Sequence, residues 1–281
     1  MKLPIQSLAA GAALLGLSAS LHAQAIYDGF DYTSGQALAA QNGGDGFSGA
    51  WASPGGAVTA TVVGGLGFGT NLATSGNAVQ IINSSAGSWG AGSIVARAVS
   101  AAPGATYWQS YLANITDFGS GFNMQGVGSG SGEFATGVTV SNYGSSSAAI
   151  RSGGGDVGFG AALSSGTTYL TIAQYSGSGI NAWVFTQAGF DNWVTNGSTE
   201  GSLSTYAFSN GSRSGDASFA GTVVLGGYST GDAITVVFDE IRFGSSLADV
   251  TPSAIPEPSA FAAFAGMAML GAVATRRRRA R

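Results

Sequence analysis

The stretch Thr167-Thr168-Tyr169-Leu170-Thr171-Ile172-Ala173-Gln174-Tyr175-Ser176 decides how the chain is read. Side chains of a strand alternate between two faces, so Tyr169, Thr171, Ala173 and Tyr175 share one face and Leu170, Ile172 and Gln174 the other. Both faces are largely apolar, which places this strand inside a two-layer structure. Ser176-Gly177-Ser178-Gly179 then suits a hairpin into a second strand at 180–186.

Outward from that hairpin the pattern repeats. Residues 57–63, 78–82, 94–99, 107–115, 138–141, 222–225 and 234–243 are short apolar runs rich in β-branched and aromatic residues. Each is bounded by Gly, Ser, Asn or Thr. A helical apolar face is hard to find; residues 36–41 could make one or two turns at most. In the final run Val237, Asp239, Ile241 and Phe243 are expected on one side, with Val236, Phe238, Glu240 and Arg242 on the other. The expectation is one all-β domain over residues 26–250, an antiparallel sandwich or jelly roll of ten to twelve strands. No fixed-period repeat is evident. A disordered matrix is disfavoured by 15 Phe, 9 Tyr and 5 Trp. A body of this length buries enough core to fold without disulfides, and the chain has no Cys.

The charges are unevenly placed. Lys2 and His22 are the sole lysine and histidine, and five of the nine arginines close the chain. Between residues 26 and 255 four arginines (Arg97, Arg151, Arg213, Arg242) face thirteen carboxylates. Nucleophile systems that use histidine as base, zinc and haem sites, phosphate cradles and nucleic-acid surfaces are therefore disfavoured.

Both ends read as addresses. Lys2, the apolar run 8–17 and the small residues Ala23 and Ala25 form a signal peptide over residues 1–25, cut by signal peptidase after Ala25 or Ala23. A linker over 251–258 ends in Pro256-Glu257-Pro258. Seventeen uncharged residues, 259–275, follow, long enough as a helix to cross a thin bilayer. The tail, 276–281, holds Arg276, Arg277, Arg278, Arg279 and Arg281 and is expected on the cytoplasmic side.

This Pro-Glu-Pro triplet, short apolar helix and arginine cluster resembles the PEP-CTERM sorting signal of Gram-negative bacteria. The resemblance implies exosortase as processing partner, a transient inner-membrane anchor and a surface or matrix destination in a host that makes exopolysaccharide. The opening Tyr27-Asp28-Gly29-Phe30-Asp31-Tyr32, the segment Gln41 to Trp51, the paired strands 166–175 and 182–184, and the closing Phe238-Asp239-Glu240-Ile241-Arg242-Phe243-Gly244 are together similar to exported laminin-G-like, concanavalin-like sandwiches. Trp183-Val184-Phe185-Thr186 departs from the Trp-Val-Asn-Pro form expected of that group.

Candidate chemistry is sparse. Gly44-Asp45-Gly46-Phe47-Ser48-Gly49 has dinucleotide-fingerprint spacing but lacks the flanking strand and helix that the motif needs. Glycoside hydrolysis needs two acids across one bond, and adjacent Asp239 and Glu240 are expected to point apart. Acids from separate strands, such as Glu133 with Asp156, are left as the enzymatic alternative. Calcium is the candidate cofactor, on Asp28 and Asp31 from the first strand and Asp239 from the last. The competing reading has Asp239 bonded to buried backbone. The candidate carbohydrate-binding residues are Asp191, Asn192 and Trp193 in an aromatic loop, against the bland reading of a plug beneath that loop. The function expected is a non-enzymatic surface or matrix protein that binds polysaccharide. A purely structural coat or biofilm protein and a glycoside hydrolase are the alternatives.

Overall fold

A computed structural model describes residues 26–52, 58–84, 94–119, 123–130, 134–141, 147–152, 155–215, 217–229 and 232–252. The segments expected to form the signal peptide and the sorting helix, the Pro-Glu-Pro triplet and the terminal arginines lie outside the described residues, as does Glu133. Among the described residues no helix is long and apolar enough to cross a membrane.

The chain is all-β with antiparallel pairing throughout. Its strands are β1 (Ile26–Asp28), β2 (Val58–Gly64), β3 (Asn77–Asn83), β4 (Ile94–Ala98), β5 (Tyr107–Asp117), β6 (Asn123–Ser129) and β7 (Thr136–Ser141). They continue with β8 (Ala148–Ser152), β9 (Gly155–Phe159), β10 (Thr168–Ser176), β11 (Gly179–Phe185), β12 (Ser209–Ser214), β13 (Thr222–Ser229) and β14 (Ile234–Gly244). One sheet runs β12-β11-β10-β5-β14-β3-β2, with β1 pairing β14 off that path; the other runs β4-β13-β6-β7-β8-β9. The 36–41 segment forms turns and a single bridge, Ala37 to Thr61, in place of a helix.

The two apolar faces of β10 are explained by two packed layers. Tyr169, Ala173 and Tyr175 enter the core between the sheets, where the Tyr175 ring stacks on Tyr107 at 4.4 Å. Leu170 and Ile172 enter a second apolar layer on the outer face of the larger sheet. Three short helices help to roof that layer: α1 (Gln187–Thr195), α2 (Leu203–Tyr206) and α3 (Leu247–Val250). Phe68 and Leu72, from the connection between β2 and β3, complete it. The β10–β11 hairpin closes as expected, with Ser176 opposite Gly179.

The closing strand departs from strict alternation. Val236 and Phe238 lie in the inter-sheet core, and so do Ile241 and Phe243, so the inward parity changes from even to odd numbers. Asp239 pairs Leu112 and Arg242 pairs Ser110, three residues of β14 advancing against two of β5. One extra residue in one strand of a pair is a β-bulge, which re-aims the side chains beside it. Glu240 has φ of 54°, a left-handed conformation costly for a residue with a Cβ. The bulge corrects the expectation for this strand.

Candidate functional site

The bulge turns Asp239, Glu240 and Arg242 toward one loop, residues 65–76, and each bonds a different point of it. Asp239 Oδ2 accepts the Leu66 amide at 2.8 Å and its Oδ1 accepts the Glu240 amide at 2.7 Å. Glu240 Oε1 accepts the Ser75 amide, and its Oε2 accepts the Tyr27 hydroxyl at 3.0 Å. Arg242 donates to Glu240 and, at 2.8 Å, to the Ala73 carbonyl, with its guanidinium 4.8 Å from the Tyr27 ring centroid. All three side chains are buried. These bonds hold Glu240 in its left-handed conformation.

Asp239 and Glu240 therefore do not point apart, as strand alternation led us to expect. Asp239 lines a 290 Å³ cleft with Gly65, Leu66, Thr74, Ser75 and Gly76. A 300 Å³ cleft beside it shares Thr74 and Ser75 and is lined by Tyr27 and Arg242. Burial pushes the Asp239 carboxyl up to about 8, against the backbone hydrogen bonds that favour its charged form. Gly76, at φ 73°, sits so close to Gly29 that a Cβ would strike the Gly29 carbonyl oxygen.

Asp28 belongs to a different centre. Its Oδ1 accepts the Phe30 amide at 2.8 Å. Its Oδ2 accepts the Tyr32 hydroxyl at 2.7 Å, Trp51 Nε1 at 2.9 Å and Arg97 Nη1 at 2.9 Å. Arg97 also donates to the Gly49 carbonyl at 2.6 Å and to Asn42 Oδ1 at 2.8 Å, and lies 4.1 Å from the Phe47 ring centroid. The opening motif thus builds a buried ion pair, with Asp28 1% and Arg97 2% exposed. Burial raises the Asp28 pKa against the bonds and charge that lower it. Phe47, inside the fingerprint-like glycine segment, bridges to Val99, and no helix follows it among the described residues up to Ala52.

The three acids named for calcium are not brought together. Asp28 is committed to Arg97, Asp31 is exposed, and Asp239 faces its own cleft. Among the described residues no group of three or more His, Cys, Asp or Glu side chains converges. Asp239 does bond buried backbone, as the competing reading had it.

The carbohydrate expectation at Asp191, Asn192 and Trp193 is also corrected. These residues lie in helix α1, capped by the Thr186 hydroxyl on the Gly189 amide, and not in a loop. Phe190 and Trp193, three apart, share the buried face and pack with Phe185. Trp193 is 1% exposed and donates Nε1 to the Thr199 carbonyl at 3.0 Å. It is a plug and offers no open stacking surface. Asn192 is exposed, while Asp191 accepts Asn71 Nδ2 at 2.7 Å. The Thr186 cap and the Phe190–Trp193 spacing were the available signals for this helix.

Sequence reasoning also missed a 620 Å³ cleft between the α1–α2 connection and α3, lined by Trp193, Ser198, Glu200, Ser246, Ala248 and Thr251 among others. Two distant segments meet there, which no local pattern announces.

These sheets define an antiparallel β-sandwich. No family model and no curated protein matches the chain. Among solved structures it is similar to an endo-β-1,4-glucuronan lyase from the fungus Trichoderma reesei, with TM-score 0.42 and 13% identity over 80% of this chain and 97% of that one. It is also similar to the alginate lyase AlgAT5 of Polysaccharide Lyase family 7, with TM-score 0.38 and 10% identity over 60% and 79%. The receptor-binding domain of botulinum neurotoxin type G gives TM-score 0.42 and 8% identity over 82% and 49%. Likeness at this level assigns neither ligand nor reaction.

Proposed function

We propose that this is an exported, non-enzymatic β-sandwich protein of a bacterial surface or matrix, sorted through a PEP-CTERM and exosortase route, whose body contacts extracellular polysaccharide. The observation that carries the reading is where the charges go. Arg97, Arg151 and Arg242 each pair with a carboxylate inside the fold. Acid–base catalysis needs a group within reach of substrate and poised to exchange a proton. Asp239 comes nearest, with a raised pKa in a cleft, and it favours a second reading as a catalytic acid. That reading lacks a base: the other residues lining its cleft are Gly, Leu, Thr and Ser.

The test uses protein recovered from the host. Intact mass is expected to show loss of residues 1–25 and of the arginine tail. The protein is expected to co-sediment with the host's exopolysaccharide and to release no reducing or unsaturated ends. Retained Arg281 on released protein would count against the sorting route. New chain ends that vanish in Asp239→Asn would establish the enzymatic reading.

Calcium is proposed in a narrower form, at Asp239 alone among the three acids. Asp239 Oδ2 and the Gly76 carbonyl oxygen lie 3.5 and 2.9 Å from the position a Gly65 Cβ would take, so two oxygens flank a space that glycine leaves free. A cation there would offset the charge that burial disfavours. Millimolar calcium is expected to raise the Tm of the wild type and not of Asp239→Asn. An unchanged wild-type Tm retires the proposal.

A further inference from the structure

We infer that the 620 Å³ cleft between the α1–α2 connection and α3 is a binding site for a neutral glycan, and that it excludes uronate-type chains. The inference rests on the polysaccharide reading above and gives that reading a place and a ligand class.

The cleft volume lies within the range of small-molecule sites, about 300–1,000 Å³. Its lining combines apolar surface from Leu247, Ala248 and Pro252, over a floor formed by the buried Trp193, with the hydroxyls of Ser198, Ser246 and Thr251 and the carboxylate of Glu200. Sugar rings present apolar C–H faces and a rim of hydroxyls, so walls of this kind match them. The parts are held firmly. Trp193 is fixed by its bond to Thr199 and by Phe190 and Phe185. Ser246 caps α3 in a reciprocal box with Asp249. Glu200 accepts Gln174 Nε2 at 3.1 Å. A pre-positioned polar wall loses little order on binding.

Charge selects the class. Glu200 is the one titratable side chain among these lining residues, and no arginine stands with it. Asp249, next along α3 from Ala248, lines the 300 Å³ cleft beside Arg242 instead, so the charge here is that of Glu200. Three of the body's four arginines are tied up in ion pairs. A uronate carboxylate entering here meets like charge with no compensating cation, whereas neutral hydroxyls can donate to Glu200.

The experiment screens the mature body on an array carrying neutral glucans, galactans and mannans beside alginate and polygalacturonate, and then measures affinities by calorimetry. Ala248→Trp fills the cleft from an exposed helix position, and Glu200→Gln removes its charge; Tm controls for folding. The expected result is binding to a neutral glycan, weakened about tenfold or more by Ala248→Trp and several-fold by Glu200→Gln. Neutral-glycan binding unaffected by either change would place the site elsewhere, overturning this inference while leaving the polysaccharide reading intact. Uronate binding that Ala248→Trp abolishes would overturn the charge argument. A wild type that binds no glycan of either kind removes the polysaccharide reading itself, and the cleft assignment with it.

Discussion

Arg97→Ala is expected to destabilise the protein by about 3–5 kcal/mol, the usual cost of stranding one member of a buried ion pair. The change leaves the Asp28 carboxylate 1% exposed with its cation gone. It also strips the Gly49 carbonyl and Asn42 of their donor, and Phe47 of the guanidinium on its ring. Urea denaturation should show a lower midpoint with an unchanged slope. Because the cost comes from the orphaned charge, the double variant Asp28→Leu with Arg97→Met should be less destabilised than Arg97→Ala. A loss below about 1 kcal/mol for Arg97→Ala would mean that the pair behaves like a solvated surface bridge.

The second large effect is in pH. Many proteins lose stability in acid because paired carboxylates must protonate. Here burial raises Asp239 from 3.8 to about 8, so the folded chain holds a proton that the unfolded chain has released. The stability this contributes is fully present below pH 4 and is lost progressively as pH rises to about 8. Asp28 is shifted in the same direction. Measured in chelator, the Tm is expected to be several degrees higher at pH 5 than at pH 8, a difference on the order of a few kcal/mol. Asp239→Asn should remove most of that slope, since the amide carries no charge to bury. A Tm that rises between pH 5 and 8, or an equal slope in the variant, would contradict the assignment to Asp239.

The sequence and the structure agree where side chains carry the period. β10 and β11 were legible because apolar residues alternate through them and a Gly-Ser turn joins them. β6 (NMQGVGS) and β12 (SNGSRS) were not. Their Gly and Ser content has little periodicity of its own, so pairing with β13 or β11 decides their state. In β14 the alternation held through Phe238 and then slipped, because a bulge adds a residue without a local composition mark. That slip hid the shared orientation of Asp239 and Glu240, and with it the clasp on the 65–76 loop. At α1 the aromatic residues were read as a wet platform, although their spacing of three suits a buried helical face. The 620 Å³ cleft depends on residues about fifty positions apart meeting in space.

The pairing of β1 with β14 has a consequence for the order of folding. Ile26 stands opposite Phe243, joining the first and last strands of the body across more than two hundred residues. β14 is also flanked by β5 and β3, so three earlier strands wait on it for their partner. A chain that emerges from its N-terminus cannot close the larger sheet until this final strand arrives, and such long-range closure is slow. The short helix α3 follows β14 directly and caps the outer layer of the same sheet. Completion of the larger sheet and of the layer that α3 helps to roof are thereby both deferred to the last residues of the body. A truncation before residue 234 should therefore aggregate or be degraded, and not accumulate as a smaller folded protein.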